Sequence, residues 1–150
     1  MNGAATTILL VEDDPNDVFL IRRALQRGEI PHALHVVGDG TAARAYLEGR
    51  EPFADRTRHP LPAVVLLDLW LPRESGHQVL AWVREQPGLR RVPVVILTSS
   101  DDPRDVNRAY DRGVNSYLVK PPTSAALRDL MRAVTEYWGE LNWKPDLVDG

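Results

Sequence analysis

The sequence predicts an α/β fold: a doubly wound, five-stranded parallel sheet with helices on both faces. Two observations predict it. Five short runs rich in β-branched residues are apolar on consecutive positions, the pattern of strands buried on both faces. Between them lie segments with helical periodicity, each opened by a capping residue or closed near a glycine. Strand and helix alternate five times, and helical crossovers favour parallel pairing.

The elements follow in order. The strand runs are Ile8 to Val11, Ala33 to Val37, Ala63 to Leu69, Val92 to Thr98 and Ser116 to Val119. Asp14-Pro15 reads as an N-cap with proline at the first helical position, and Val18, Ile21 and Leu25 mark the inner face up to Gly28. Thr41 to Leu47 is a second helix, ending near Gly49. Gly76 to Gln86 is a third, with Val79, Leu80 and Val83 inward. Pro103 to Arg112 is a fourth, stopped by Gly113. Thr123 or Ser124 caps a fifth that runs to Trp138, where Gly139 ends it. Glu48 to Pro62, rich in charge and proline, reads as a surface loop. The strand order expected of such a fold is 2-1-3-4-5.

Composition narrows the function classes. The chain has 150 residues, 43% of them hydrophobic, enough for one core, and a net charge of −3. No clustered Lys and Arg suggest a nucleic-acid partner. There are no cysteines, hence no disulfide and no thiolate metal site. The start, M-N-G-A-A-T-T, lacks the pattern of a secretory signal, and no run approaches a membrane span. A soluble cytoplasmic protein without membrane or nucleic-acid contact is expected. We divide it into a domain over 1–138 and a tail over 139–150, too short for an output domain.

Polar residues collect where the strands end. The first is followed by Glu12, Asp13 and Asp14; the third carries Asp68; the fourth ends on Thr98; the fifth leads into Lys120. In a doubly wound sheet, ligands bind outside the carboxyl ends of the strands at the point where the order reverses, here between strands 1 and 3. Glu12, Asp13 and Asp68 are expected to converge there. Two like charges ~4 Å apart cost about 4 kcal/mol at an effective dielectric of 20. Lys120 compensates one charge; a hard divalent ion with oxygen ligands, Mg²⁺ or alternatively Mn²⁺, compensates more. A carboxylate beside such an ion, a lysine and a hydroxyl is a good phosphoryl acceptor. The plainer reading makes Asp68 a strand-end cap or a structural ion pair with Lys120, and Asp14 a helix cap.

Four pieces carry a resemblance: I-L-L-V-E-D-D, L-L-D-L-W-L-P with Gly76 after it, V-V-I-L-T-S-S and S-Y-L-V-K-P. In this order, at these strand ends, they resemble the receiver domains of two-component response regulators, from about Thr7 to Trp138. The resemblance implies a CheY-like fold, Asp68 as phosphoacceptor, and Glu12, Asp13, Asp68 and the backbone carbonyl of Trp70 as metal ligands. It implies Thr98 as switch hydroxyl, Lys120 as the lysine that contacts the phosphoryl group, and Tyr117 as the switch aromatic. It also implies a cis Lys120–Pro121 bond and a sensor histidine kinase as partner. V-E-D-D-P-N-D-V, the long insertion before strand 3 and the tail E-Y-W-G-E-L-N-W resemble the stand-alone regulators paired with bacterial phytochrome kinases. The resemblance also implies that Trp70 flanks the phosphoryl group, where its ring is expected to shield it from water.

The resemblance makes the chain a phosphoacceptor switch, one that assists its own phosphorylation and dephosphorylation without being an enzyme. Three other functions remain to be weighed. A haloacid-dehalogenase-like phosphohydrolase needs D-x-D, and Trp70 occupies the second acid's position. A flavodoxin needs a phosphate-cradling first loop, and Glu12-Asp13-Asp14 would repel phosphate. A receiver-like scaffold without phosphoryl chemistry would not need the full residue set. The four histidines (32, 35, 59 and 77) share no ligand-like spacing and are expected to face solvent. Arg104, Arg108 and Arg112 follow an i, i+4 spacing suited to ion pairs across a dimer. Trp138 and Trp143, with Tyr137 and Leu141, suggest a homodimer through the fourth and fifth helices and the tail.

Overall fold

A computed structural model describes residues 5–147. The segments 1–4 and 148–150, with the outer ends of both expected units and most of the N-terminal stretch, lie outside the described residues. Five parallel strands form one sheet: β1 (Thr6–Val11), β2 (His32–Val37), β3 (Val64–Leu67), β4 (Val94–Thr98) and β5 (Ser116–Val119), in the order β2-β1-β3-β4-β5. The fold class and the strand order are those expected.

Register decides where the polar strand ends meet. Val11 lies level with both Val37 and Leu67, and Thr98 with Val119. The ladder continues one step past each strand. Glu12 N–H donates to Val37 O, Asp68 N–H to Val11 O, and Lys120 N–H to Thr98 O. Glu12, Asp68 and Lys120 therefore start from fixed backbone positions at one edge. β3 is shorter than its apolar run because Leu69 O turns away to accept from Gly76 N–H, which closes the following loop.

Five helices cover the sheet: α1 (Pro15–Arg27), α2 (Gly40–Glu48), α3 (Gly76–Glu85), α4 (Pro103–Asp111) and α5 (Ser124–Glu136). Each has a side-chain N-cap: Asp14, Asp39, Ser75, Asp102 and Thr123. Ser75 and Gln78 form a reciprocal capping box. Strand alternation splits the core in two. Ile8, Leu10, Leu66 and Leu97 face α1 and α5, meeting Ile21, Leu25, Leu127 and Met131. Leu9, Val11, Leu67 and Ile96 face α2, α3 and α4, meeting Tyr46, Leu80, Val83 and Ala109.

Four expectations need correction. Gly139 does not end the last helix; it sits within a π-helical turn, Tyr137–Leu141, that continues α5. A Cβ there would overlap the Thr6 side chain, so this glycine permits close approach rather than a stop. The segment 48–62 is not a simple surface loop. Phe53 and Leu61 pack on the core, and the Arg56 guanidinium donates to the carbonyls of Tyr46 (2.8 Å) and Leu47 (2.7 Å) at the end of α2. The histidines do not all face solvent: His77 is buried, and His35 and His59 stack in a ring cluster with Tyr46 and Phe53. The cis peptide bond is at Glu51–Pro52, not at Lys120–Pro121.

Gly76 marks the tightest approach near the strand ends. A Cβ on it would collide with the backbone carbonyl of Asp68. Gly76→Ala is expected to lose about 1–3 kcal/mol of stability in urea unfolding, the usual scale of overpacking. Gly38→Ala, with nothing near its Cβ position, should stay within about 0.5 kcal/mol of wild type.

Candidate functional site

Lys120 gathers the site. Its Nζ donates to Glu12 Oε1 at 2.6 Å, Asp17 Oδ2 at 2.9 Å and Asp68 Oδ2 at 3.0 Å. The three carboxylates come from the end of β1, the first turn of α1 and the end of β3. Glu12 and Asp68 are buried, and Asp17 is half-buried. The second oxygens of Glu12 and Asp68 are also engaged: Asp14 N–H donates to Glu12 Oε2 and Trp70 N–H to Asp68 Oδ1, each at 3.2 Å.

Electrostatics follow from burial. Desolvation lifts the Glu12 carboxyl from its ordinary 4.5 to about 7; neighbouring Asp68 pushes the same way, and Lys120 opposes. Burial alone would lower the Lys120 ammonium. Its bonds to Glu12, Asp17 and Asp68 outweigh that and hold it above its usual value, so it is cationic at any physiological pH. One ammonium facing three carboxylates leaves the cluster short of positive charge.

The other expected residues fall nearby with different standing. Thr98 is fully buried at the end of β4, and among the described residues its Oγ1 has no hydrogen-bond partner. A buried hydroxyl without a partner is costly and marks a group awaiting an acceptor. Tyr117 is half-buried, and its hydroxyl donates to Ser100 O at 2.9 Å. Trp70 is 60% exposed at the rim. Asp13 is also exposed on the rim. Asp17, which sequence reasoning missed, takes the third place around Lys120. Its only signal is its position about one turn after Asp13, in the first turn of α1.

The donor set suits a hard divalent ion. All the candidate ligands are oxygens. Among the described residues no three acidic or imidazole side chains close a ready cage. Mg²⁺-type ions use only one or two carboxylates, keep several waters and accept phosphate oxygens. An open site with two buried carboxylates, an exposed one beside them and uncompensated negative charge fits that habit.

Comparisons with known proteins agree with this geometry. A family model described as the response regulator receiver domain matches residues 8–132. Response regulator Rcp1 of Synechocystis sp. is 38% identical over 133 residues, spanning 89% of this chain and 88% of that protein. A probable methanogenesis regulatory protein, FilR2 of Methanothrix harundinacea, is 41% identical over 136 residues, spanning 91% and 84%. The structure of phosphorylated RcpA, a cyanobacterial phytochrome response regulator, superposes with a TM-score of 0.86 at 36% identity, covering 95% of this chain and 99% of that one. The Mn(2+)-bound form of Rcp1 gives 0.82 at 36% identity, covering 93% and 99%.

The raised Glu12 carboxyl sets a pH dependence. A carboxyl that binds its proton more tightly when folded favours the folded state below about 4.5 and loses that contribution as pH rises through about 7. In chelator-treated buffer, Glu12→Gln should therefore gain stability relative to wild type between about pH 5 and pH 8. Urea unfolding across that range checks it; a constant gap would mean that Glu12 is ionised throughout.

Proposed function

This chain belongs to the response regulator receiver domain family, and from that premise we propose that it is a switch operated by phosphorylation of Asp68. The observation that carries this is the convergence of Asp68, Glu12 and Lys120 beside a buried, unpartnered Thr98 hydroxyl. A phosphohistidine of a sensor kinase is the donor. An Asp68 oxygen forms the new bond to phosphorus, the P–N bond breaks, and its electron pair stays on the imidazole. Lys120 follows the charge onto the phosphoryl oxygens. Thr98 donates its hydroxyl to one of them.

A divalent cation, Mg²⁺ or Mn²⁺, would be held by Glu12, Asp13, Asp68 and the Trp70 carbonyl, and would neutralise phosphoryl charge in flight. Mn²⁺ in the Rcp1 structure and the phosphorylated state of RcpA support this assignment. Likeness to RcpA also favours a phytochrome-type kinase as the partner. Likeness to FilR2, named for a different process, makes kinase identity a matter for direct test.

Phosphorylation adds close to two negative charges beside Thr98 and Tyr117. Output passes through the surface those residues adjoin. Tyr110, Val119, Tyr137, Leu141 and Trp143 all stand exposed on α4, β5 and the segment after α5, and Trp143 is 95% exposed. Large apolar side chains left in water favour an interface. We take residues 1–138 as the receiver unit and 139–150 as an arm, and infer a homodimer through α4, α5 and that arm. Among the described residues no helix is long and apolar enough to cross a membrane, and a cytoplasmic site of action suits a kinase-fed switch.

Incubation with acetyl phosphate and Mg²⁺ should add one phosphoryl group to the intact mass of wild type and none to Asp68→Asn, with EDTA abolishing the gain. No gain in wild type, even with a cognate kinase, would leave the scaffold reading. In the same assay Trp70→Asn should lose the group several-fold faster, as expected if the ring limits water access; an unchanged rate would remove that role. In sedimentation, Tyr137→Ala with Trp143→Ala should weaken self-association by about tenfold or more, and wild type that stays monomeric at high concentration would exclude the dimer.

A further inference from the structure

His77 takes no part in the chemistry above, yet it is the second residue of α3 and only 3% exposed. Among the described residues neither of its ring nitrogens has a hydrogen-bond partner. Nε2 stops 3.6 Å from Asp105 Oδ1, just beyond bonding reach. A buried imidazole with two unmet nitrogens beside a carboxylate is a group with a second arrangement close at hand.

Asp105 is already engaged elsewhere. Its Oδ2 accepts from Ser100 Oγ at 2.6 Å. Ser100 Oγ accepts in turn from Asp102 N–H, which opens α4, at 3.3 Å, and Ser100 O accepts from the Tyr117 hydroxyl at 2.9 Å. A line of contacts thus runs from His77 through Asp105 and Ser100, which lies two residues beyond Thr98 on the β4–α4 loop, to Tyr117 on β5.

We propose that His77 is a positioning residue for the switch: uncharged, it leaves Asp105 to hold Ser100, and on taking a proton it draws Asp105 away, releasing the β4–α4 loop and Tyr117 from the arrangement seen here. The consequence for signalling rests on Tyr117 being the switch aromatic; the movement itself does not.

The surroundings fix the direction. The charged groups acting on the ring are Arg108 and Asp105 on α4 and Arg112 at its C-terminal cap. Burial lowers the His77 pKa below its ordinary 6.5, both arginines add to that, and Asp105 opposes. A proton favours whichever conformer binds it more tightly. The present arrangement binds it weakly, so acid shifts the population toward one in which Asp105 sits closer to the ring.

The test is an NMR titration of the metal-free, unphosphorylated chain from about pH 8 to pH 5. Wild type should show the Ser100 amide and the Tyr117 ring shifting with the same midpoint as His77. In His77→Leu both responses should vanish. In Asp105→Asn, which preserves the packing, the His77 midpoint should fall and the Ser100 response should be lost. Arg108→Gln should raise the midpoint. A Ser100 response that survives in His77→Leu, or a His77 titration that leaves Ser100 unmoved, overturns the proposal. If His77→Leu does not fold, Asp105→Asn and Arg108→Gln decide alone. Acetyl phosphate uptake, followed in parallel, separates the two readings. Loss of uptake in every protein defeats the phosphoacceptor assignment while leaving the titration to judge His77.

Discussion

The Lys120 ammonium is the interaction on which the site depends. It ties together residues 108, 103 and 52 positions away in the chain, just past β1, in α1 and just past β3. Burying charge is expensive unless geometry and hydrogen bonding are both good. Here the backbone supplies the geometry: Glu12, Asp68 and Lys120 each extend a ladder by one hydrogen bond before their side chains meet. The sheet register therefore sets the distances between charges, and the parallel order β2-β1-β3-β4-β5 puts the ends of β1 and β3 side by side, with the end of β5 one strand further on, past β4. A slip of one residue in β1 or β3 would turn the acids to the other face.

The same arrangement leaves the cluster unbalanced, and the imbalance is where function enters. Three carboxylates and one ammonium do not neutralise one another, and burial already lifts Glu12 to about 7. Among the described residues the Thr98 hydroxyl has nothing to receive it. A structure selected only for stability would replace such groups with apolar ones. Excess negative charge calls for a cation; an unmet hydroxyl and a lysine call for an anion. A metal-bound phosphoryl group supplies both at once. The plain alternative, Asp68 as a structural partner of Lys120, accounts for one bond but not for the unmet Thr98.

Most of this was legible in the sequence because it rests on local rules. Consecutive apolar residues gave the buried strands, and Asp14 and the Thr123-Ser124 pair announced their helices as caps do, whereas the Asp102 cap went unread. Glu12, Asp68, Thr98 and Lys120 were readable because a strand end is a position in the chain as well as in space. What was not legible depends on contacts between distant segments. Asp17 carries no signal of its own in the sequence and joins the site only because α1 packs beside Lys120. His77 looked like a surface residue on a short helix until α4 covered it. Arg84 gave no signal, yet its guanidinium donates to Gly113 O, Val92 O and Asn115 Oδ1, joining the end of α3 to the starts of β4 and β5. Gly139 read as a helix stop because a glycine's need for space and its freedom to turn look alike in a sequence.

The aromatic residues after α5 sort by the same logic. Trp138 lies against the α1–α5 side of the core, and the π-helical turn that contains it brings Gly139 onto Thr6 at the start of β1. From there the chain returns along the opposite end of the sheet from the acidic cluster. Leu147 packs on the other core layer, and Asp146 O accepts from Arg91 at 3.2 Å. The segment is thus anchored at both ends, while Trp143 between them meets almost only solvent. An anchored backbone presenting one exposed indole loses little conformational entropy when that ring is covered, which is the economy of a preorganised contact. The acidic cluster and this indole sit at opposite ends of the strands. A partner on the α4–β5–α5 face that also covers the arm would span the length of β5, and Tyr117 lies within that span.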